Sequence, residues 1–167
     1  MSDAQFHVRQ LNTEDIAPVS ALARVVWQAT YPALISQAQI DTMLSDRYAP
    51  THIRSQLDDP AHGWWVAQQN QALAGFAHAT MNGADCKLDK LYVHPHTQRQ
   101  GIGNTLLHAV RQWARQQQAR RLWLQVNRGN TQAITAYRNY GFRIVESRVF
   151  DIGNGFVMDD YLMEQRL

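Results

Sequence analysis

Residues 90–104 read KLYVHPHTQRQGIGN. An extended run of β-branched and aromatic residues stops at Pro95, a polar loop follows, and Gly101 and Gly103 stand at the start of a helical pattern. From there the apolar residues fall at Ile102, Leu106, Leu107, Val110, Trp113 and Ala114, the helical period, which predicts a helix to about Gln117. The glycines let the backbone approach a ligand in conformations that a Cβ forbids. The first helical turn has N–H groups without intrahelical acceptors, at the positive end of the helix dipole. A strand, a loop and such a helix start make an anion site suited to phosphate. The plainer reading, a glycine-assisted helix start with no ligand, is open on this stretch alone.

Spelling removes two phosphate loops. A Walker A loop needs a Lys after its last glycine, and none follows Gly101 or Gly103. A dinucleotide fingerprint wants a third glycine where Leu106 stands, within an early βαβ unit that this chain lacks.

Outward from the loop, Phe6 to Leu11 reads as a first strand, and Asn12, Thr13 and Asp15 cap a helix to about Ala29. Tyr31-Pro32 ends it. A second helix follows Ser36, with Ile40, Met43 and Leu44 on one face, and a third runs from Pro50 to Leu57. Trp64–Gln68, Leu73–Met81 and Cys86–His94 form an antiparallel meander with turns near Asn70 and at Asn82-Gly83. After the helix from Ile102 come a strand at Leu122–Val126 and a helix at Asn130–Tyr140, stopped by Gly141. A final hairpin joins Phe142–Asp151 to Phe156–Met163 through Gly153-Asn154-Gly155. The fold class is α/β (α+β): one domain over residues 1–167, with a mixed, mostly antiparallel sheet of about seven strands flanked by helices.

The 167 residues, 45% of them hydrophobic, suffice for one core. A formal charge of +2, from 16 Lys and Arg against 14 Asp and Glu, gives no field that would draw the chain to nucleic acid or membrane. Arg111, Arg115, Arg120 and Arg121 read as a solvated face rather than a nucleic-acid patch. Cys86 is the sole cysteine, which rules out an intrachain disulfide. MSDAQFHVRQ lacks the pattern of a signal peptide, and no apolar run reaches membrane-spanning length, so a soluble, cytoplasmic protein is expected. His94 and His96 lack a third ligand nearby, and no metal is expected.

Gln98-Arg99-Gln100-Gly101-Ile102-Gly103, preceded by Tyr92-Val93-His94-Pro95, resembles the Q/R-x-x-G-x-G/A loop of the GNAT superfamily of acyl-CoA-dependent N-acyltransferases. Downstream, LQVNRGNTQAITAYRNYGF is similar to the same family in the spacing of Asn130, Ala133, Tyr137 and Gly141-Phe142. The resemblance runs from about Phe6 to the end and is strongest from Lys87 to Phe142. It implies acetyl-CoA as cofactor, with its pyrophosphate held by the loop from Gln98 to Asn104, Gln100 and Ile102 included. The strand Leu91-Tyr92-Val93 would hydrogen-bond the pantetheine arm through the edges of Leu91 and Val93, like an added strand. Asn130 would contact the cofactor near its pantetheine, and Tyr137 would sit beside the thioester sulfur.

Attack of a neutral amine on a thioester expels a thiolate that needs a proton, and a phenol with a pKa near 10 can give it. The resemblance makes Tyr137 that acid; without it, the residue reads as packing on a helical face. An alkylamine costs roughly 4 to 5 kcal/mol to deprotonate at neutral pH, so a carboxylate base would help. Many family members carry a glutamate on the strand before the loop. Here that strand offers Asp89, readable equally as a base or as a strand residue paired with a neighbouring lysine.

TYPALISQAQIDTMLSDRY and GNGFVMDDYLME look like the PaiA-type polyamine N-acetyltransferase branch. Asp41, Asp46, Asp159 and Asp160 lie in these framing segments, and Asp159 and Asp160 are expected to bind the far ammonium of a di- or polyamine. Alternative functions are an acyl-CoA-binding sensor and a protein or peptide N-acetyltransferase. Oligomeric state is open, a homodimer included.

Overall fold

The computed structural model describes residues 5–167. The leader reading therefore rests partly on residues 1–4, which lie outside the described residues. Strand β1 (Phe6–Gln10) leads through a short 3-10 turn, Thr13–Asp15, into α1 (Ile16–Thr30). The Asn12 side chain accepts from the Glu14 N–H at 3.0 Å, and the Asp15 carboxylate accepts from the Asn12 N–H at 2.9 Å. This reciprocal cap is the chemistry read from the sequence. Helix α2 (Gln37–Arg47) starts on Ser36, whose Oγ accepts from the Gln39 N–H, and α3 (Pro50–Leu57) starts on Pro50.

The meander is β2 (His62–Gln69), β3 (Ala72–Asn82) and β4 (Asp85–Val93). A 3-10 turn at Pro95–Thr97 precedes α4 (Ile102–Gln116), then come β5 (Arg121–Asn127), α5 (Thr131–Asn139), β6 (Arg143–Gly153) and β7 (Phe156–Arg166). The seven strands form one sheet in the order β1-β2-β3-β4-β5-β7-β6. Every pairing is antiparallel except β4 with β5, which α4 connects as a crossover. This is the mixed, mostly antiparallel seven-stranded architecture expected from the sequence.

The helices divide between the two faces. Helix α4 packs Ile102, Leu106, Leu107 and Val110 against β2, β3 and β4, with α5 on the same side. Helices α1 to α3 cover the opposite face through Val19, Val26, Trp27, Ile40 and Ile53, packed on Val66 and Phe76. Leu107 is fully buried, so Leu107→Ala would cost about 2–5 kcal/mol and loosen the helix that carries the loop. Among the described residues no helix is long and apolar enough to cross a membrane.

Two features of β4 open the centre of the sheet. Its pairing with β5 ends after Asp85–Lys87 opposite Arg121–Trp123. Its register against β3 shifts between His78 opposite Lys90 and Ala79 opposite Leu88, so Asp89 is an extra residue, a β-bulge. Beyond the bulge β4 follows β3 and leaves β5, and a wedge-shaped gap opens between the two parallel strands.

Candidate active site

A cleft of about 640 Å³ passes through the sheet at this gap. One side is walled by α1 and α2 through Trp27, Thr30, Thr42 and Asp46, the other by α4 and α5 through Gly103, Ala133 and Tyr137. Leu91, Tyr92 and Val93 form its β4 wall. The His94 N–H donates to the Ala74 carbonyl at 2.7 Å, which fixes the ladder alternation. By that alternation Tyr92 bonds β3, whereas the N–H and C=O groups of Leu91 and Val93 point toward the gap. An extended polar chain entering the gap would meet these groups as a strand edge. The Tyr92 side chain turns the other way: its hydroxyl lies 2.9 Å from that of Tyr31, beside Trp27 and Phe76.

The loop before α4 is bent by two left-handed residues, Arg99 at φ 66° and Gly101 at φ 85°. Gly101 is the N-cap, and its carbonyl accepts from the Thr105 N–H, so the N–H groups of Ile102, Gly103 and Asn104 have no intrahelical acceptor. A Cβ on Gly103 would lie 3.1 Å from the Tyr140 hydroxyl and 3.7 Å from Val93 Cγ2. Gln98, Arg99, Gly101, Ile102 and Gly103 line the cleft. The Gln100 side chain turns to Gln69 at 3.0 Å, and the Asn104 side chain is outside the lining, so these two could serve a ligand through the backbone alone.

Helix α5 closes the far wall. Asn130 caps it, accepting from the Ala133 N–H at 3.2 Å, and lines the cleft with its amide nitrogen uncommitted among the described residues. Ala133 and Ala136 keep this face low, so that Tyr137 stands above them. The Tyr137 ring packs edge-on against Phe142 at 5.7 Å, while among the described residues its hydroxyl makes no hydrogen bond. Burial, with Tyr140 nearby, pushes its pKa up, which keeps the hydroxyl protonated at every physiological pH. A half-buried phenol with a free O–H facing a cleft is placed to donate a proton.

Asp89 lies on the cleft wall, but its geometry differs from that of a base. Its carboxylate meets Arg47 at 2.9 Å, Lys90 at 2.5 Å and the His78 Nδ1 at 3.0 Å, with Lys87 at 3.7 Å. Burial pushes its pKa up, but the His78 hydrogen bond and the charges of Lys90 and Arg47 outweigh this and hold it well below the usual carboxylate range. A carboxylate so stabilised has little affinity for a further proton. The lysine pairing offered by the sequence is present, and these contacts argue against Asp89 as the base. His78, stacked at 4.5 Å on Trp64, reaches His62 at 2.8 Å, and burial draws its pKa down to about 4. This histidine pair has no signal in the sequence, since it depends on β2–β3 register.

The two C-terminal acids face opposite ways, as strand neighbours must. Asp159 is exposed, pairs with Arg128 at 3.3 Å and is absent from the cleft lining, which corrects its assignment to an ammonium site. Asp160 is 3% exposed and lines the cleft opposite Asn127 on β5. Its Oδ2 receives only a long 3.4 Å contact from Gln125 Nε2, and its Oδ1 is buried without a partner. Burial raises its pKa to about 6 against the Gln125 contact and the charges of Arg47 and Lys87, with Asp159 adding to the rise. Asp46 also lines the cleft, exposed and unpaired among the described residues, whereas Asp41 bonds Gln37 outside it. On the α4 side, Arg111 bonds Gln165 and the Tyr140 carbonyl, and Arg121 pairs with Glu164, so two of the four arginines of the basic segment are engaged within the chain.

Comparison with known proteins identifies the fold and the family. The chain is 27% identical over 154 residues to an uncharacterised N-acetyltransferase of Mycobacterium tuberculosis, covering 92% of this chain and 98% of that protein. It is 24% identical over 159 residues to a spermidine N(1)-acetyltransferase of Thermoplasma acidophilum, covering 91% and 94%. Its fold matches the crystal structure of the PaiA N-acetyltransferase of Thermoplasma acidophilum in complex with coenzyme A, with a TM-score of 0.85 at 22% identity over 98% of this chain and 99% of that one. Residues 27–142, which span the bulge, the glycine loop and α5, match the Acetyltransferase (GNAT) family, and the chain belongs to that family.

Proposed function

We propose that this protein transfers an acetyl group from acetyl-CoA directly to a primary amine of a small polyamine or diamine. The observation that carries the acceptor class is the pair of carboxylates that form no salt bridge among the described residues, at two depths of one cleft: Asp46 exposed toward the mouth and Asp160 buried within. A dication spanning the cleft would meet one at each end. The similarity to a spermidine acetyltransferase supports the same class.

The residues fit the cofactor. The free N–H groups of Ile102, Gly103 and Asn104 at the start of α4, where Gly103 brings no side chain, suit a pyrophosphate. The gap-facing edges of Leu91 and Val93 suit the amides of a pantetheine arm, and Asn130 stands across the gap from them. Acetyl-CoA supplies the acetyl group as a thioester. Tyr137 holds its proton for the departing sulfur. Asp89, clamped by Arg47, His78 and Lys90, fixes the bulge that keeps the gap open.

Initial rates with acetyl-CoA and thiol detection, for spermidine, putrescine, butylamine, an amino acid and an aminoglycoside, test this reading. Spermidine or putrescine should rank first. An amino acid or aminoglycoside ranked first would overturn the acceptor assignment.

A further inference from the structure

The cleft lining holds three acids, Asp46, Asp89 and Asp160, and no histidine, glutamate or cysteine among the described residues. Asp89 is fully committed to cations, and Asp46 stands in solvent. Asp160 alone is a buried carboxyl with one oxygen unpartnered and the other held only by a long amide contact. From this arrangement we infer that Asp160 is the general base that takes a proton from the acceptor's ammonium before acetyl transfer.

The groups facing Asp160 are Gln125 and Asn127 from β5, Lys87 from β4 and Arg47 from α2, with Asp159 beside it on β7. Arg148, its partner on β6, is turned to Glu146. Arg47 and Lys87 would lower its proton affinity, but burial outweighs them and leaves its pKa near 6, the range suited to a base at neutral pH. In the step itself, one N–H bond of R–NH3⁺ breaks and its electron pair stays on nitrogen. The O–H bond forms on Asp160, giving R–NH2 and a neutral carboxylic acid. The acid returns the proton to solvent after turnover. The second nitrogen proton, shed when the amide forms, balances the one that Tyr137 gives to sulfur.

This inference rests on acetyl transfer to an amine, not on which amine, so the acceptor reading can fail without it. The test compares the best alkylamine of the rate panel with phenylhydrazine, whose nitrogen is unprotonated at neutral pH. Asp160→Asn should lose about 100-fold in kcat with the alkylamine and under about threefold with the hydrazine. Asp159→Asn should match the wild type with both. Equal losses on the two acceptors, or no loss, would overturn the assignment. Two arms need no variant activity. In the wild type, the kcat/KM profile should show an acidic limb near pH 6 with the alkylamine on top of the amine's own titration, and no such limb with the hydrazine. Carbon-13 NMR of aspartate carboxyls in the apoprotein should show one resonance titrating near pH 6, absent in Asp160→Asn and retained in Asp159→Asn. A carboxyl set titrating entirely near pH 4 would contradict the proposal.

Discussion

Asp89 and Lys90 are neighbours on one strand, yet their side chains form an ion pair at 2.5 Å. Adjacent strand residues ordinarily point to opposite faces. The bulge at Asp89 inserts one residue against β3, so both side chains emerge on the α1–α3 face, where Lys90 lies over the rings of Tyr48 and Trp64 at 5.3 and 5.2 Å. The same bulge turns β4 away from β5. The ion pair and the cleft thus have one cause.

Removing one member of this cluster should therefore cost stability. Asp89→Asn leaves Lys90 and Arg47 without their shared carboxylate, and the expected loss is about 3–5 kcal/mol. Urea unfolding checks it, and Asp89→Asn combined with Lys90→Met should recover much of the loss. A variant of wild-type stability would show that the clamp does not hold the bulge.

Gly103→Glu should place bulk and negative charge over the free N–H groups of α4. The nearest atoms to its Cβ are the tip of Tyr140, at 3.1 Å, and Val93 Cγ2, which can give way, so the fold should survive. Coenzyme A affinity should fall at least about tenfold, close to 1.4 kcal/mol. Calorimetry on the folded variant gives the answer, and unchanged affinity would move the pyrophosphate elsewhere.

Tyr137→Phe keeps the ring against Phe142 and removes a hydroxyl that makes no hydrogen bond among the described residues. Stability should change by less than about 0.5 kcal/mol, while kcat falls by about 10 to 1000-fold with little change in cofactor affinity. Wild-type turnover across pH would make Tyr137 a packing residue.

Asp160 carries a stability cost whose sign is fixed by its titration. Its pKa is raised in the folded state to about 6, so the native state binds this proton more tightly than the unfolded chain does. Its contribution to stability is then fully present below the unfolded value and lost as pH rises through about 6. Asp160→Asn should therefore be more stable than the wild type at pH 8, by about 3 kcal/mol at most, with the difference closing toward pH 4. Thermal unfolding at the two pH values measures it, and a variant less stable at pH 8 than at pH 4 relative to wild type would reverse the sign.

Much of this was legible in the sequence because it is local. Capping residues, apolar periods and the glycines of the loop each act within a few positions, and every strand and helix read from them is present. The clamp on Asp89 was not legible, since it joins Arg47 and His78 through a bulge that no local pattern announces. Strand alternation implied that Asp159 and Asp160 face opposite ways, but which one enters the cleft depends on the β5–β7 register. Asp160's unmet oxygen is a consequence of burial, which the sequence does not display.

Acetyl transfer to a dicationic amine in this cleft can be read from the ratio of kcat/KM for spermidine to that for butylamine, in the wild type and in Asp46→Asn. Asp46 is exposed at the mouth of the cleft and unpaired among the described residues, so it would hold the far ammonium there. The wild-type ratio should exceed about threefold, and the variant should lose most of it through KM, in line with roughly 0.5 to 1 kcal/mol for an exposed charge contact. A ratio near one in the wild type, or a large ratio that Asp46→Asn leaves untouched, would contradict the account.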